Sequence, residues 1–166
     1  MRLSKHVEES LYVLLILATQ KAHQPVKSIK LSELLHVSDS SLKKILRKLV
    51  VAKLIESSAS KSGGFELKKD IQKITLLDIV EAVEGAEIIQ YLPQHIGDNI
   101  FSRKEHVEKS EKYIADSFQN AQDAYAKSLS KVRITNILEE DSIKFGTIDW
   151  NNISVIDGSA RHEFNK

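Results

Sequence analysis

Between Val37 and Lys69 the chain reads VSDSSLKKILRKLVVAKLIESSASKSGGFELKK, and ITLLDIVEAVEG follows at Ile74–Gly85. Within the first stretch Leu42, Ile45, Leu46 and Leu49 fall at i, i+3, i+4 and i+7, which is one apolar stripe on a helix. Ser40, Ser41, Lys43, Lys44, Arg47 and Lys48 occupy the other side. Such a helix must lay its stripe on neighbouring helices and turn its cations outward. Ser38 stands just ahead of it, with a hydroxyl able to accept an otherwise unpaired backbone N–H, and is expected as the N-cap.

An ordinary surface helix mixes Glu with Lys because the pairs help it. Here no acid follows Asp39, so the four cations are expected to stand without partners, an arrangement that suits a polyanion such as nucleic acid. Ser40, Ser41, Lys43 and Lys44 lie in the first two turns, the part of such a helix that reaches base edges in the major groove, while Arg47 and Lys48 suit backbone phosphates. Next, Leu54–Ser57 and Phe65–Leu67 flank ASKSGG, which predicts a short hairpin with Gly63 and Gly64 near its tip. Lys61, Lys68 and Lys69 make it basic, as befits a wing lying along a DNA backbone or minor groove. The expected DNA-binding set is therefore Ser38, Ser40, Ser41, Lys43, Lys44, Arg47, Lys48, Lys61, Gly63 and Gly64.

Upstream, Val7, Leu11, Leu14, Leu15 and Ala18 predict a helix over Lys5–Ala22, apolar nearly all round and hence buried on more than one side. Pro25 ends it. Ser28 is expected to cap a short helix carrying Leu31, Leu34 and Leu35, and His36–Ser38 to form the turn into the cationic helix. The fold class that results is mainly α with a small β wing, a winged helix-turn-helix domain over residues 1–85.

Charge supports this division. The net charge is +1, yet residues 1–70 hold 13 Lys and Arg against 7 Asp and Glu, whereas residues 71–166 hold 11 against 16. Only the first part is suited to a polyanion. The longest apolar run, Leu11–Ala18, is far short of the roughly 20 residues that span a bilayer. The start MRLSKHVEES lacks the layout of a signal peptide, so a cytoplasmic protein with no membrane partner is expected.

MRLS at the start, VSDSSLKKILRKL, GGFEL and ITLLDIVEAVEG, in this order, resemble the Rrf-two family of bacterial winged-helix transcriptional regulators, which includes IscR, NsrR and CymR. The resemblance implies a homodimer that binds a dyad-symmetric operator, usually as a repressor. Two departures matter. Ala59-Ser60 stands where the family often has an Arg-Gly pair, and Ser41-Leu42-Lys43-Lys44 replaces a common Tyr-Leu-Glu-Gln. Base readers of acid and amide type have become cations, and Lys cannot mimic a bidentate Arg. Iron–sulfur members hold a cluster with three cysteines after the ITLLDIVEAVEG helix; here the corresponding effector-region loop, residues 86–104, has none, and neither does the rest of the chain. A conventional cluster and thiol redox sensing are excluded on that ground, and no cofactor or metal is expected. His95, Asp98 and His106 lack metal-ligand spacing.

From Glu105 to Lys131 the chain is free of Gly and Pro, and Val107, Ile114, Phe118, Ala121, Tyr125 and Leu129 fall on one stripe. A seam near the heptad pattern predicts a dimerisation helix crossing its partner. Residues 132–166 form a C-terminal extension of unassigned role, with a short helix at Ile137-Leu138. Alternating apolar positions from Ser142 to Ile156, including Trp150, predict a hairpin around Asn151-Asn152, packed as a tail on the dimer.

The sequence thus points to a sequence-specific DNA-binding regulator, a homodimeric repressor without a cluster, whose partners are double-stranded DNA, itself and an unknown small-molecule or protein effector. The alternative is an interaction protein that regulates or senses a partner metabolic enzyme. Catalysis is disfavoured, since no phosphate-binding Gly loop and no nucleophile beside a base are present.

Overall fold

The computed structural model describes residues 2–58 and 63–153. Helix α1 runs from Lys5 to Thr19, α2 from Ser28 to Leu35 and α3 from Asp39 to Val51. The hairpin strands are β1, Ile55–Ser57, and β2, Phe65–Leu67, and α4 spans Leu76–Glu84. The long helix α5 covers Lys104–Leu129, and α6 covers Glu140–Phe145. Leu14, Leu31, Leu42, Ile45, Leu49, Leu54, Ile74 and Ile79 are fully buried where α1, α2, α3 and α4 converge. The four apolar positions that define α3 all face this core.

Two helix ends differ from expectation. The first helix stops at Thr19 rather than Ala22: the Thr19 hydroxyl turns back to the Leu15 carbonyl at 2.8 Å, and Gln20 is extended. Ala22 and His23 then take positive φ. Ser28 is the first helical residue of α2, not its cap, because Lys27 holds the N-cap position and offers no side-chain bond. The turn between α2 and α3 forms around His36 in the left-handed region, with Ser32 Oγ donating to the Val37 carbonyl at 2.7 Å.

The wing is antiparallel, pairing Ile55 with Leu67 and Ser57 with Phe65. A third stretch joins it: Val26 and Phe65 exchange N–H···O bonds of 2.9 Å in both directions. Here Gly64 is obligatory, since a Cβ at that position would run into the Val26 carbonyl. Residues 59–62, and with them Lys61, lie outside the described residues. A capping box opens α4, in which Thr75 Oγ1 accepts from the Asp78 N–H and the Asp78 carboxylate accepts from the Thr75 N–H.

After Gly85 the chain lays itself down along α5 in the reverse direction. Gln122, buried, accepts the Ile89 N–H at 2.8 Å and donates to the Ala86 carbonyl at 2.7 Å. Tyr91 stacks on Phe118 with ring centroids 4.9 Å apart, and His95 Nδ1 meets Glu111 Oε2 at 2.6 Å. Gly97 rests on Val107, whose Cγ1 is 2.6 Å from where a glycine Cβ would stand. The loop is therefore pinned at four successive points of one helix face.

Past α5 the chain returns to the N-terminal domain. Leu76 donates to the Val132 carbonyl at 2.8 Å, Ile134 donates to the Ile74 carbonyl at 3.1 Å, and Ile134 is buried. The hairpin expected over Ser142–Ile156 is not formed. Ile143 and Phe145 belong to α6, whose end at Gly146 has φ 59° and packs on the Gln20 carbonyl too closely for any side chain. Ile148 then makes a single parallel bridge with Gln20, and Asn151-Asn152 form a turn, while Val155 and Ile156 lie outside the described residues. The tail packs on its own α1: Trp150 Nε1 donates to Thr19 Oγ1 at 2.9 Å, and Trp150 N donates to Gln20 Oε1 at 2.9 Å. Asn151 spans the α1–α2 connection, donating to the Pro25 carbonyl and accepting from Lys27 N.

Candidate nucleic-acid interface

The cationic face of α3 is built from its cap outward. Ser38 Oγ accepts the Ser41 N–H at 3.3 Å, as the sequence predicts, and fixes where the first turn begins. The buried stripe sets the helix rotation, so Ser38, Ser40, Lys43, Lys44, Arg47 and Lys48 emerge exposed and Ser41 half-buried. The expectation of four unpartnered cations needs correction. Lys43 pairs with Asp39 one turn back at 2.6 Å, and the Lys48 ammonium donates to the Val83 carbonyl at the end of α4. Lys44 and Arg47 have no ion pair among the described residues. The Lys43–Asp39 pair is largely exposed and of the i, i+4 kind, so it is worth only about 0.5 kcal/mol and yields readily to a phosphate.

On the hairpin, Lys68 pairs with Glu56 at 3.2 Å and Lys69 with Asp78 at 2.8 Å. Two of the three cations counted as wing charge are thus held by neighbouring acids. Burial pushes the Asp78 carboxyl up, but hydrogen bonds from Lys69 and from the Thr75 amide and hydroxyl outweigh it and hold it below the ordinary carboxylate value. Glu84 is lowered as well, chiefly by the hydroxyl and amide of Ser4, which it accepts at 2.6 and 2.8 Å. Gly63 and Gly64 are half-buried at the base of the tip; Gly64 has the packing reason given above. A cleft of about 670 Å3 separates the second half of α3 from α4, with Lys44, Arg47 and Lys48 on one wall and Asp78 and Glu81 on the other.

The residues expected on a dimer seam part company. Val107 is buried beneath Gly97, and Phe118 carries the Tyr91 ring. Tyr125 and Leu129 are half-buried, whereas Ile114, Phe118 and Ala121 are exposed, Ile114 on the side of α5 that carries the loop, and Tyr113 is 75% exposed. Sequence reasoning missed Gln122. Its position among polar neighbours on a charged helix gives no sign that it anchors a loop 33 residues away.

Residues 3–140 match the Rrf2 family, described as iron-dependent transcriptional regulators. The HTH-type transcriptional regulator YffB of Lactococcus lactis is 33% identical over 145 residues, covering 87% of this chain and 92% of that one. Among solved structures, CymR, the global cysteine regulator of B. subtilis, superposes with a TM-score of 0.57 at 20% identity, over 82% of this chain and 95% of that one. IscR of T. potens gives 0.56 at 20% identity, over 83% and 86%. Iron–sulfur chemistry does not fit the residues present here. The loop that runs along α5 has no thiolate, its His95 is engaged by Glu111, and among the described residues no three His, Cys, Asp or Glu side chains converge. No helix among the described residues is long and apolar enough to cross a membrane. The matched family model, the relative that spans nearly the whole chain and the shared winged-helix fold lead to one conclusion: the chain belongs to the Rrf2 family of transcriptional regulators, and it is a DNA-binding regulator of the helix-turn-helix type.

Proposed function

We propose that this protein is a homodimeric, cytoplasmic transcriptional repressor, not an enzyme, that reads a dyad-symmetric operator with α3 and does so without an iron–sulfur cluster. The observation that carries the reading is the exposed N-terminal half of α3. There Ser40, Lys43 and Lys44 stand clear of the core on a helix whose rotation is locked by four buried apolar side chains. Presented to a major groove, those two turns reach base edges, and Arg47, one turn on, meets phosphates. Ser38 and Ser41 fix the helix start. The base of the wing at Gly63 and Gly64 supplies a second backbone contact, and Lys61 is assigned to it from the sequence alone.

A dimer supplies the second half-site. Ile114, Phe118 and Ala121, exposed on α5, with Tyr125 and Leu129 along the same stripe, serve as its seam. Val107, covered by the chain's own loop, marks the end of that seam.

Selection of bound duplexes from a randomised DNA pool, followed by sequencing, tests the reading. An inverted repeat should be enriched, and the Lys43→Ala/Lys44→Ala variant should fail to enrich it. A pool that stays random, or an enriched motif without two-fold symmetry, would overturn sequence-specific dimeric binding.

A further inference from the structure

Beyond residue 140, where the match to the family ends, the chain packs α6 on α1 and comes to lie against the bend between α1 and α2. This strap is fixed before it reaches the bend. Ile148 N donates to the Thr19 carbonyl at 3.1 Å, and Lys21 N donates to the Ile148 carbonyl at 2.7 Å. Trp150 is bonded to Thr19 and Gln20, and Asn152 closes the turn by donating its N–H to the Asp149 carbonyl at 3.1 Å. Asn151 is thereby delivered to one place, the edge of the Val26 stretch that the wing leaves open.

Val26 is fully buried, and the two peptide groups that flank it are bonded on both sides. In the first, the Val26 N–H donates to the Phe65 carbonyl, while the Pro25 carbonyl accepts from Asn151 Nδ2 at 3.0 Å. In the second, the Val26 carbonyl accepts from the Phe65 N–H, while the Lys27 N–H donates to Asn151 Oδ1 at 3.3 Å. Wing and strap therefore hold the same two peptide groups from opposite sides. The Asn151 amide, one donor group beside one acceptor, stands where a further strand would otherwise have to cover the edge. Hydrogen bonds that share a peptide group polarise one another, so the bonds from the strap strengthen those to the wing. Asp has no donor for the Pro25 carbonyl, and Gln would carry its amide one methylene further out.

We propose that Asn151 is a positioning residue of the DNA-reading surface: through Val26 it holds the base of the wing in place, and the segment after residue 140 is the clamp that delivers it. The clamp acts on the wing and not on α3, whose rotation the buried stripe fixes. Its consequence for DNA rests on the reading of the wing as a second backbone contact, whereas the link to Phe65 does not.

Two measurements on the full chain test the proposal. In amide exchange without DNA, Asn151→Ala should speed exchange at Val26 and Phe65 about tenfold and leave Leu46 and Leu49 of α3 at the parent's rate. Trp150→Phe, which keeps a ring and removes the bond to Thr19, should act in the same direction more weakly. Asn151→Asp should disturb the junction at least as much as Asn151→Ala, because it sets a carboxylate oxygen against the Pro25 carbonyl. In anisotropy titrations, Asn151→Ala should weaken operator and altered sites alike, by about fivefold, with the parent's circular dichroism spectrum. Lys61→Ala should then cost less in the Asn151→Ala background than in the parent, while Arg47→Ala costs the same in both. A residue that merely stabilised the fold would couple to neither cation. Unchanged exchange at Phe65, or Lys61 and Arg47 costs that are equally additive, would overturn the proposal. Lys61→Ala as tight as the parent would instead sink the wing contact, and exchange at Phe65, read without DNA, would still decide the role of Asn151.

Discussion

Lys48 reaches from the third turn of α3 to the backbone carbonyl of Val83, near the end of α4. The residue is therefore a tie between the DNA-facing helix and the element that leads into the loop along α5, and not a free charge held out for phosphate. Lys48→Met, which keeps the aliphatic stem and removes the donor, should lower stability by about 1 kcal/mol through the carbonyl left short of a partner. Lys44→Met should leave stability unchanged. Thermal unfolding of the two variants without DNA makes the comparison, and equal midpoints would return Lys48 to the role of a phosphate contact.

The double variant Lys43→Ala/Lys44→Ala should bind the selected operator more weakly by about 1–3 kcal/mol per lost base contact and should discriminate less among altered sites. Arg47→Ala should instead weaken all duplexes evenly and reduce the salt slope by about one. Fluorescence anisotropy across a salt series separates these patterns. A double variant as tight as the parent would remove α3 from the operator.

Placing a carboxylate on the exposed stripe of α5, by Ile114→Glu or Ala121→Glu, should bury an unpaired charge in the dimer and dissociate it. The monomer should keep its helical spectrum and lose the operator, because one half-site offers too few contacts. Light scattering alongside a gel shift reads both properties. A variant that remains dimeric would move the seam off this face.

Acid sensitivity should trace in part to Asp78. Its folded carboxyl titrates below the ordinary aspartate value, so the stability contributed by its bonds to Lys69 and Thr75 is fully present above that ordinary value. It is lost as pH falls through the lower folded value. Asp78→Asn should cost about 1 kcal/mol at neutral pH, and the gap to the parent should close as pH falls below the ordinary carboxylate range. Urea unfolding at stepped pH measures it; a gap that widens in acid would contradict the assigned direction.

Anaerobic reconstitution with iron and sulfide should leave the chain without stoichiometric iron and without a charge-transfer band, and a chelator should leave operator binding unchanged. The reason lies in the donor set, which offers scattered imidazoles and carboxylates and no thiolate. Stoichiometric iron in metal analysis would reverse this.

What the sequence made legible was local. The α3 stripe, the Ser38 cap and the α4 helix rest on spacing within a turn or two, and the wing on short strands around a Gly pair. Thr75 and Asp78, three residues apart ahead of an apolar run, carried a capping-box signal that was there to be read. Distant partners decided the rest. Thr19 ends α1 where Trp150 arrives from 131 residues away, and Ile148 pairs with Gln20 instead of with a hairpin mate. Likewise the pairing of Lys69 with Asp78 and of Lys48 with Val83 depends on how α4 sits against its neighbours, which no periodicity encodes.

The docking of Trp150 on Thr19 has a temporal side. A ribosome releases the α1–α4 segment long before it has synthesised residue 150, and domains begin folding from the N-terminus as they emerge. The nascent winged helix must therefore wait, with the end of α1 and the Pro25–Lys27 bend uncovered, until Trp150 and Asn151 have been made. Closing a loop of that length costs chain entropy that only the finished contacts recover. Completion of the DNA-reading end is thereby coupled to synthesis of the α5 helix and of the segment beyond it, so that the reader is finished only after the part proposed to pair it has been built.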